Sequence, residues 1–209
     1  MKPTLFVTPG ACSFACHVVV EEAGLPIEVV PVDLRDPAAP HRVFNPLGRV
    51  PTLVTTERDV LTENSALLPY LADQAPTRHL LAPAGTVLRA RTQAWVGYLN
   101  AEIHAGCFRA INRPQRYCPD VHGQATVRQQ GLLRLQEALA PIESALQGQD
   151  GLMGASFTIA EAYLGVFAAW VRALGKDFEH FTELHRFGRA YEQRPSVARA
   201  RARETTAPI

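Results

Sequence analysis

The residues that could do thiol or metal chemistry in this chain are its cysteines and histidines. Four cysteines, at positions 12, 16, 107 and 118, are too few for a disulfide scaffold in 209 residues, so reduced thiols are expected. Three residues separate Cys12 from Cys16, which is neither a Cys-x-x-Cys redox pair nor half of a zinc finger. The histidines form no His-x-x-x-His pair that would place two ligands on one helix face. A metal cofactor is therefore not expected.

A second chemical feature is the segment from Asn45 to Pro51, which reads Asn-Pro-Leu-Gly-Arg-Val-Pro. Pro51 stands where a strand should begin, a position at which proline costs the sheet no ladder hydrogen bond. If the Val50-Pro51 bond is cis, Val50 can offer its N–H and C=O to an extended peptide lying alongside. The segment predicts a docking edge for a small peptide, although a plain loop closed by two prolines fits the same residues.

The elements that must position these residues alternate between strand and helix in the first part of the chain. Period-two and β-branched runs predict strands at residues 4–7, 27–34, 52–55 and 60–62. Helical spacing predicts helices at 14–23 and 63–73, the second interrupted by Pro69. Pro37 and Pro40 leave only a short or irregular helix between the second and third strands. The predicted order is β-α-β-(α)-β-β-α over residues 1–76.

After a linker at residues 77–85, the β-branched runs disappear and helical periodicity takes over. One helical pattern includes residues 95–103 and another residues 132–146. Thr158 and Glu161 fit a capping box at the start of an almost wholly apolar helix, 159–174, which should be buried. Helices at about 182–193 and 196–203 are expected to follow. We therefore predict an α+β domain at 1–76 and an all-helical domain at 86–209.

The composition excludes several classes of protein. Lys and Arg number 21 and Asp and Glu 20, a balance that does not favour a nucleic-acid partner. No apolar run approaches the roughly 20 residues of a membrane span, and the N-terminus has no signal-peptide core. A globular protein without membrane or nucleic-acid contacts, located in the cytoplasm, is expected.

The ordered motifs resemble those of cytosolic glutathione transferases, in particular bacterial beta-like members. The motifs are Thr8–Ser13, His17 with Glu21–Pro26, Asn45–Leu53, Leu61–Asn64, Tyr70–Asp73 and, in the second part, Phe157–Tyr163. Several motifs in the right order are more specific than any one of them. The resemblance implies a thioredoxin-like N-terminal domain followed by an all-α helical bundle, glutathione as co-substrate, no metal, and a homodimer.

The resemblance also implies a set of glutathione-binding residues. Val50, before a cis Pro51, would pair its backbone with the cysteinyl unit of glutathione. Glu63 and Asn64 fall where the family holds the γ-glutamyl end, since a carboxylate suits the ammonium and a helix N-terminus suits the carboxylate. Arg49 could pair with the glycyl carboxylate.

Cys12 and Ser13, at the turn into the first helix, are the expected catalytic residues. A free thiol has a pKa of about 8.5. Lowering that pKa by about two units requires interactions that favour the thiolate by roughly 2.7 kcal/mol. By resemblance, Ser13 would donate its hydroxyl to the glutathione sulfur, because the first strand reads Leu-Phe-Val where many relatives carry a tyrosine. Cys12 could instead form a mixed disulfide with glutathione.

His104 is a third expected catalytic residue, on the first long helix of the second domain. Beta-like relatives often carry a His-Lys pair here, facing the thiol, whereas this chain reads His104-Ala105. The resemblance places the electrophile pocket on this helix and its neighbour, with Cys107, Phe108, Ile111 and Tyr117 as candidate lining.

These residues favour a glutathione transferase that stabilises the thiolate of glutathione and conjugates it to small apolar electrophiles. Two alternatives stay open. One is a glutathione-dependent thiol-disulfide reductase or peroxidase using Cys12, in which Cys12→Ser would abolish turnover. The other is a non-catalytic glutathione or ligand-binding protein, which would be retained on a glutathione resin without conjugating an aryl halide.

Overall fold

The first part of the chain folds around a four-stranded mixed sheet in the order β2-β1-β3-β4. The computed structural model describes residues 2–205. The strands are β1 Thr4–Val7, β2 Glu28–Pro31, β3 Thr52–Val54 and β4 Val60–Thr62. β2 runs parallel to β1, and β3 pairs antiparallel with both β1 and β4. The predicted hairpin at residues 52–62 is confirmed.

Helices surround this sheet and make up the second part of the chain. They are α1 Phe14–Ala23, α2 Asn64–Asp73, α3 Val87–Tyr98, α4 Arg109–Asn112, α5 Val121–Ala145, α6 Ile159–Leu174, α7 Thr182–Glu192 and α8 Pro195–Thr205. A 3₁₀ turn, Pro40–Val43, replaces a second helix between β2 and β3, as the prolines predicted. The thioredoxin-like domain followed by an all-α domain is confirmed.

The second strand is shorter than the predicted range 27–34. β1 ends at Val7, which pairs with Pro31, so the residues beyond Pro31 have no partner strand to continue the ladder. The Val32 carbonyl accepts a hydrogen bond from the Thr8 hydroxyl at 2.7 Å instead. Because β2 lies at the edge of the sheet, a proline in it leaves no inner hydrogen bond unmade.

The two faces of the sheet are covered by different parts of the chain. Leu5 and Leu53 are cross-strand partners and belong to the large core that continues through α1 and α2 into the helical domain. Phe6, on the opposite face, packs in a smaller cluster with Val50 and Val54. This alternation follows from the two-residue period of a strand. The smaller cluster anchors the loop that carries Val50 beside the sheet.

The helix after α3 departs from a regular α-helix. Residues Leu99–Phe108 form a π-helical segment that runs into α4, and the Arg109 N–H bonds the His104 carbonyl. The residue pattern predicts an ordinary α-helix here, and the structure shows the wider turns of a π-helix instead. π segments are often found at functional sites, and this segment carries His104.

α6 is the buried centre of the helical domain, as predicted. The Thr158 hydroxyl accepts from the Ala160 N–H at 3.1 Å, and the Glu161 carboxylate accepts from the Thr158 N–H at 2.8 Å. These bonds satisfy N–H groups that a helix start would otherwise leave unpaired. Gly165 allows the Tyr191 ring of α7 to approach the α6 backbone, and the site has no room for a side chain.

The last helix joins the second domain back to the first. Glu204 of α8 lies 3.0 Å from the Nδ1 atom of His17 on α1, and both side chains are buried. Arg199 of α8 reaches the Glu21 carboxylate at 2.9 Å, and Arg194, just before α8, reaches Glu22 at 2.8 Å. The middle and the last turn of α1 are therefore held by the helical domain. Within residues 2–205, no helix is both long enough and apolar enough to cross a bilayer.

Candidate active site

A cleft of about 510 Å³ lies between the two domains, at the end of the sheet where α1 and α2 begin. Seven of the eight site residues expected from the sequence line it; they are Cys12, Arg49, Val50, Pro51, Glu63, Asn64 and His104. The eighth, Ser13, is not among the lining residues. The helical wall opposite adds Trp170 and the basic side chains of Arg109, Arg113 and Arg116, for which no role was predicted from the sequence.

The strand edge predicted at Val50 and Pro51 is present. The peptide bond between them is cis. The loop before it is held in place because the Arg49 carbonyl accepts from the Asn45 side chain at 3.1 Å and from the Thr52 hydroxyl at 2.8 Å. The Val50 carbonyl faces the cleft, where it accepts from the Cys12 thiol at 3.7 Å. An extended peptide in the cleft would compete for this carbonyl.

Cys12 lines the cleft as a protonated thiol. Burial raises the pKa of Cys12 to about 11, while a hydrogen bond with Asn64 lowers it in part and the negative charge of Glu63 raises it further. At neutral pH the side chain is therefore a weak donor, and it is a poor nucleophile without a change in its surroundings.

Ser13 is fully buried behind the cleft wall. Its hydroxyl oxygen accepts a hydrogen bond from the backbone N–H of Thr8 at 3.0 Å, and its side chain does not cap α1. This bond fixes the turn between β1 and α1. The expected hydroxyl donor to a sulfur is thus placed within the turn, because the first residues of α1 rotate Cys12, rather than Ser13, toward the open space.

Glu63 and Asn64 form the start of α2 at the edge of the cleft. The Asn64 side chain is used internally: its amide donates to the Cys12 carbonyl at 3.2 Å and its oxygen accepts from the Cys16 thiol at 3.1 Å. Its backbone N–H belongs to the first turn of a helix and lacks an intrahelical acceptor. Glu63 has φ 69° and ψ 130°, a conformation that a residue with a Cβ rarely adopts. Such strained positions cluster at ligand sites.

His104 lies on the opposite wall as a neutral imidazole. Burial lowers the pKa of His104 to about 4, and the positive charge of Arg109 lowers it further. Its Nδ1 atom is 3.3 Å from the Tyr163 hydroxyl, which also donates to Asn100 at 3.1 Å. Because the Tyr163 hydrogen goes to Asn100, the Nδ1 atom of the neutral ring is the donor to Tyr163, and the Nε2 atom can accept one further hydrogen bond.

Aromatic rings complete the helical wall. Trp170 of α6 donates from its Nε1 atom to the Gly10 carbonyl at 2.9 Å, which joins this wall to the turn before α1. The Phe108 and Trp170 rings meet edge to face with centroids 5.0 Å apart. Among the residues expected to line an electrophile pocket, Phe108 does so, whereas Cys107 and Ile111 are buried in the core. Trp170 gave no signal in the sequence, since it sits in an apolar helix that reads as core.

Arginines form the outer part of the cleft. Arg42 and Arg49 lie on the sheet side, and Arg109, Arg113 and Arg116 lie on the helical side. Among the described residues, no cluster of three or more His, Cys, Asp or Glu side chains could hold a metal ion. The arginine side chains and the Val50 backbone in this cleft are suited to an anionic organic ligand with a peptide backbone.

Two family models match the chain. The one described as glutathione S-transferase, N-terminal domain, matches residues 10–74, and the one described as glutathione S-transferase, C-terminal domain, matches residues 125–203. Both matches fall within the domains expected from the sequence, at 1–76 and 86–209.

Individual relatives agree over nearly the whole chain. Glutathione S-transferase GstA of Escherichia coli O157:H7 is 34% identical over 207 residues, covering 96% of this chain and 98% of that protein. Glutathione S-transferase GST-4.5 of Xanthomonas campestris pv. campestris is 32% identical, covering 88% of this chain and 89% of that protein.

Solved structures agree with the fold as well. A sphingomonad glutathione S-transferase in complex with glutathione has a TM-score of 0.86 at 31% identity, covering 98% of this chain and 100% of that one. The bacterial beta class enzyme of Sphingomonas chungbukensis has a TM-score of 0.86 at 29% identity, with the same coverage. With both domains and their order in agreement, the chain belongs to the glutathione S-transferase family and is similar to its bacterial beta class.

Proposed function

We propose that this glutathione transferase binds glutathione along the Val50-Pro51 edge and aims its sulfur at the space between Cys12 and His104. One observation carries the proposal: a strand-edge backbone, a helix start and the His104 imidazole all face one cleft. The backbone of Val50 would pair with the cysteinyl unit, as in the addition of a strand to a sheet edge.

The ends of the tripeptide find complementary charges in the same cleft. The Glu63 carboxylate would bind the ammonium of the γ-glutamyl unit, and the first N–H groups of α2 would bind its carboxylate. Arg49, exposed on the sheet side, would bind the glycyl carboxylate. The orientation of the tripeptide then follows from one acidic and one basic side chain at opposite ends of the edge.

Stabilisation of the thiolate would come from the helical wall and the start of α1. The Arg109 charge that helps to lower the pKa of His104 also favours an anion beside that ring. The Tyr163 hydroxyl gives its hydrogen to Asn100, so the Nδ1 atom of the neutral ring donates to Tyr163 and the Nε2 atom can accept the thiol hydrogen of glutathione. The α1 N-terminus contributes its dipole. Ser13 contributes indirectly, by holding the turn through Thr8. The thiolate then attacks the electrophile, and the thiol proton leaves to solvent.

The test is conjugation of glutathione to chlorodinitrobenzene, followed by absorbance, together with calorimetric titration of glutathione. We expect His104→Gln to lower kcat/KM by about tenfold, because an amide oxygen accepts the thiol hydrogen less well than an imidazole nitrogen does. Ser13→Ala should lower it by less than about threefold, since the Ser13 side chain does not line the cleft. Retention of glutathione without any conjugation would instead support the non-catalytic binding protein.

A second candidate function is thiol-disulfide exchange through Cys12, favoured by the position of this thiol on the cleft. Attack on oxidised glutathione would form a Cys12–glutathione disulfide and release one reduced glutathione. This candidate requires the Cys12 thiolate, which the raised pKa disfavours in the ligand-free protein. Cys12→Ser should abolish disulfide reduction if this is the main activity, and should leave conjugation nearly intact if it is not.

The resemblance further supports a homodimer, a cytoplasmic location, a detoxifying role and an electrophile with an apolar body. The rings of Phe108 and Trp170 are suited to such a body. Light scattering during gel filtration should give about twice the mass of one chain, and a monomer would contradict the proposed assembly.

A further inference from the structure

The cleft carries more positive charge than glutathione can balance. Its lining includes five arginines, at positions 42, 49, 109, 113 and 116, and one acidic residue, Glu63. Glutathione as a thiolate has two carboxylates, one thiolate and one ammonium, a net charge of about two negative. A surplus of about two positive charges remains once the tripeptide is bound.

This surplus lies on the helical wall, away from the strand edge. Arg109 belongs to α4, Arg113 follows it, and Arg116 ends the 3₁₀ turn Pro114–Arg116. All three side chains line the cleft on this wall, although the helix ends at Asn112 and Arg113 has an extended φ of −139°. Like charges gathered on one wall repel one another unless an anion lies between them.

The three arginines have no acidic partner among residues 2–205. Ion pairs of the described structure use other arginines, such as Arg89 with Asp73 and Arg134 with Glu102. Within residues 2–205, the side chains of Arg109, Arg113 and Arg116 form no ion pair or hydrogen bond, and all three are exposed. Their donors are therefore available to a ligand.

The same wall provides a surface for an apolar body. Phe108 precedes Arg109 and packs edge to face on Trp170, and both rings line the cleft with His104. A flat apolar group placed on these rings would bring a substituent at its outer end to the arginines. The wall thus combines an aromatic surface, formed by Phe108 and Trp170, with the three exposed arginines.

We infer that the second substrate is a carboxylate-bearing electrophile, whose apolar body packs on Phe108 and Trp170 and whose carboxylate is bound by Arg109, Arg113 and Arg116. The inference rests on the proposed function and specifies its substrate class. The reaction is unchanged: a carbon–sulfur bond forms, the bond to the leaving group breaks with its electron pair, and the thiol proton goes to solvent. The arginines act on a part of the electrophile that does not react.

The experiment compares a matched pair of aryl chlorides. One is the chlorodinitrobenzoate with its carboxylate para to the chlorine, and the other is its uncharged methyl ester. Both react by displacement of chloride, so each kcat/KM is divided by the uncatalysed rate constant with glutathione. We expect this ratio to be at least about tenfold greater for the carboxylate, as for one charge-assisted hydrogen bond pair. Its KM should rise with ionic strength, while that of the ester stays constant.

Variants of the arginines test whether these side chains cause the preference for the carboxylate. Arg113→Gln and the double variant at Arg113 and Arg116 should lower the ratio for the carboxylate about tenfold or more, mainly through KM, and leave the ester within about twofold. Arg113→Lys should restore part of the loss, since the charge remains. Arg91→Gln, which removes an exposed arginine of α3 outside the cleft, should change neither substrate.

The outcomes separate the two levels of the proposal. Turnover of the ester with no preference for the carboxylate would overturn this inference and leave the transferase intact. Equal loss of both substrates in Arg113→Gln would also overturn it, because the arginine would then act on glutathione. Failure of the wild-type protein to conjugate either compound would overturn the proposed function itself, and this inference with it.

Discussion

The Cys12 thiol donates to the backbone carbonyl of Val50 across the cleft, at 3.7 Å. The turn before the first helix and the cis-proline edge are therefore in direct contact. A tripeptide that pairs with Val50 must replace this weak bond with a stronger N–H donor. Cys12 consequently responds to binding even if it takes no part in the reaction.

Cys12 should react slowly with iodoacetamide at neutral pH. Because burial raises its pKa to about 11, the thiolate fraction, and with it the alkylation rate, should rise with pH through that range. Mass spectrometry of digested protein can follow each cysteine. S-methylglutathione should protect Cys12 and leave Cys118, which is partly exposed outside the cleft, unprotected. Fast alkylation with an apparent pKa below about 8.5 would instead favour the thiol-disulfide activity.

His104 should make the stability of the protein depend on pH. Its pKa is lowered from about 6.5 to about 4, so the unfolded chain binds the proton more tightly than the folded one. The stabilisation that the neutral imidazole contributes to folding is present above a pH of about 6.5 and is lost as the pH falls toward about 4.

Urea unfolding at neutral pH and at about pH 4.5 measures this contribution. The wild type should lose about 2 kcal/mol more than His104→Gln over that interval. His122→Gln, at an exposed position, should behave like the wild type. Identical pH dependence in the wild type and His104→Gln would show that the imidazole is not held neutral by the fold.

Glu204 should stabilise the junction between the two domains. Its carboxylate bonds His17, and both side chains are buried, so Glu204→Ala leaves a ring nitrogen without its partner. A loss of about 2 kcal/mol in unfolding free energy is expected, and Glu204→Gln should lose less because an amide can still bond the ring. Glu57→Ala, at an exposed site in the β3–β4 turn, is the control. A loss as small as that of the control would mean that water replaces the carboxylate.

Two glycines in helices should respond to alanine in opposite directions. A Cβ at Gly165 would overlap the Tyr191 ring, whereas a Cβ at Gly97 meets nothing within 4 Å. Gly165→Ala should therefore destabilise the protein by about 3 kcal/mol or more, through displacement of the ring. Gly97→Ala should stabilise it by about 0.5–1 kcal/mol, because glycine loses more backbone entropy in a helix. Thermal unfolding of the pair distinguishes packing from helix propensity.

Local sequence patterns determined the element order and much of the sheet side of the cleft. Strand and helix periods, the prolines around residues 45–51 and the Thr158–Glu161 box each act over fewer than about ten residues, so their signals survive without tertiary contacts. The same locality explains why the sequence could single out Val50, Pro51, Glu63 and Asn64, which lie at the ends of adjacent elements and line the cleft.

Tertiary structure decided which side chains meet. Whether Cys12 or Ser13 faces the cleft depends on the rotation of the first turn of α1, which is set by packing of α1 against the helical domain. The π-helical segment and the Trp170–Gly10 bond have no local signature either. Trp170 belongs to α6, whereas the arginines at 109, 113 and 116 belong to α4 and the turn after it. Only the close packing of these elements brings the aromatic rings and the arginines onto the same wall of the cleft.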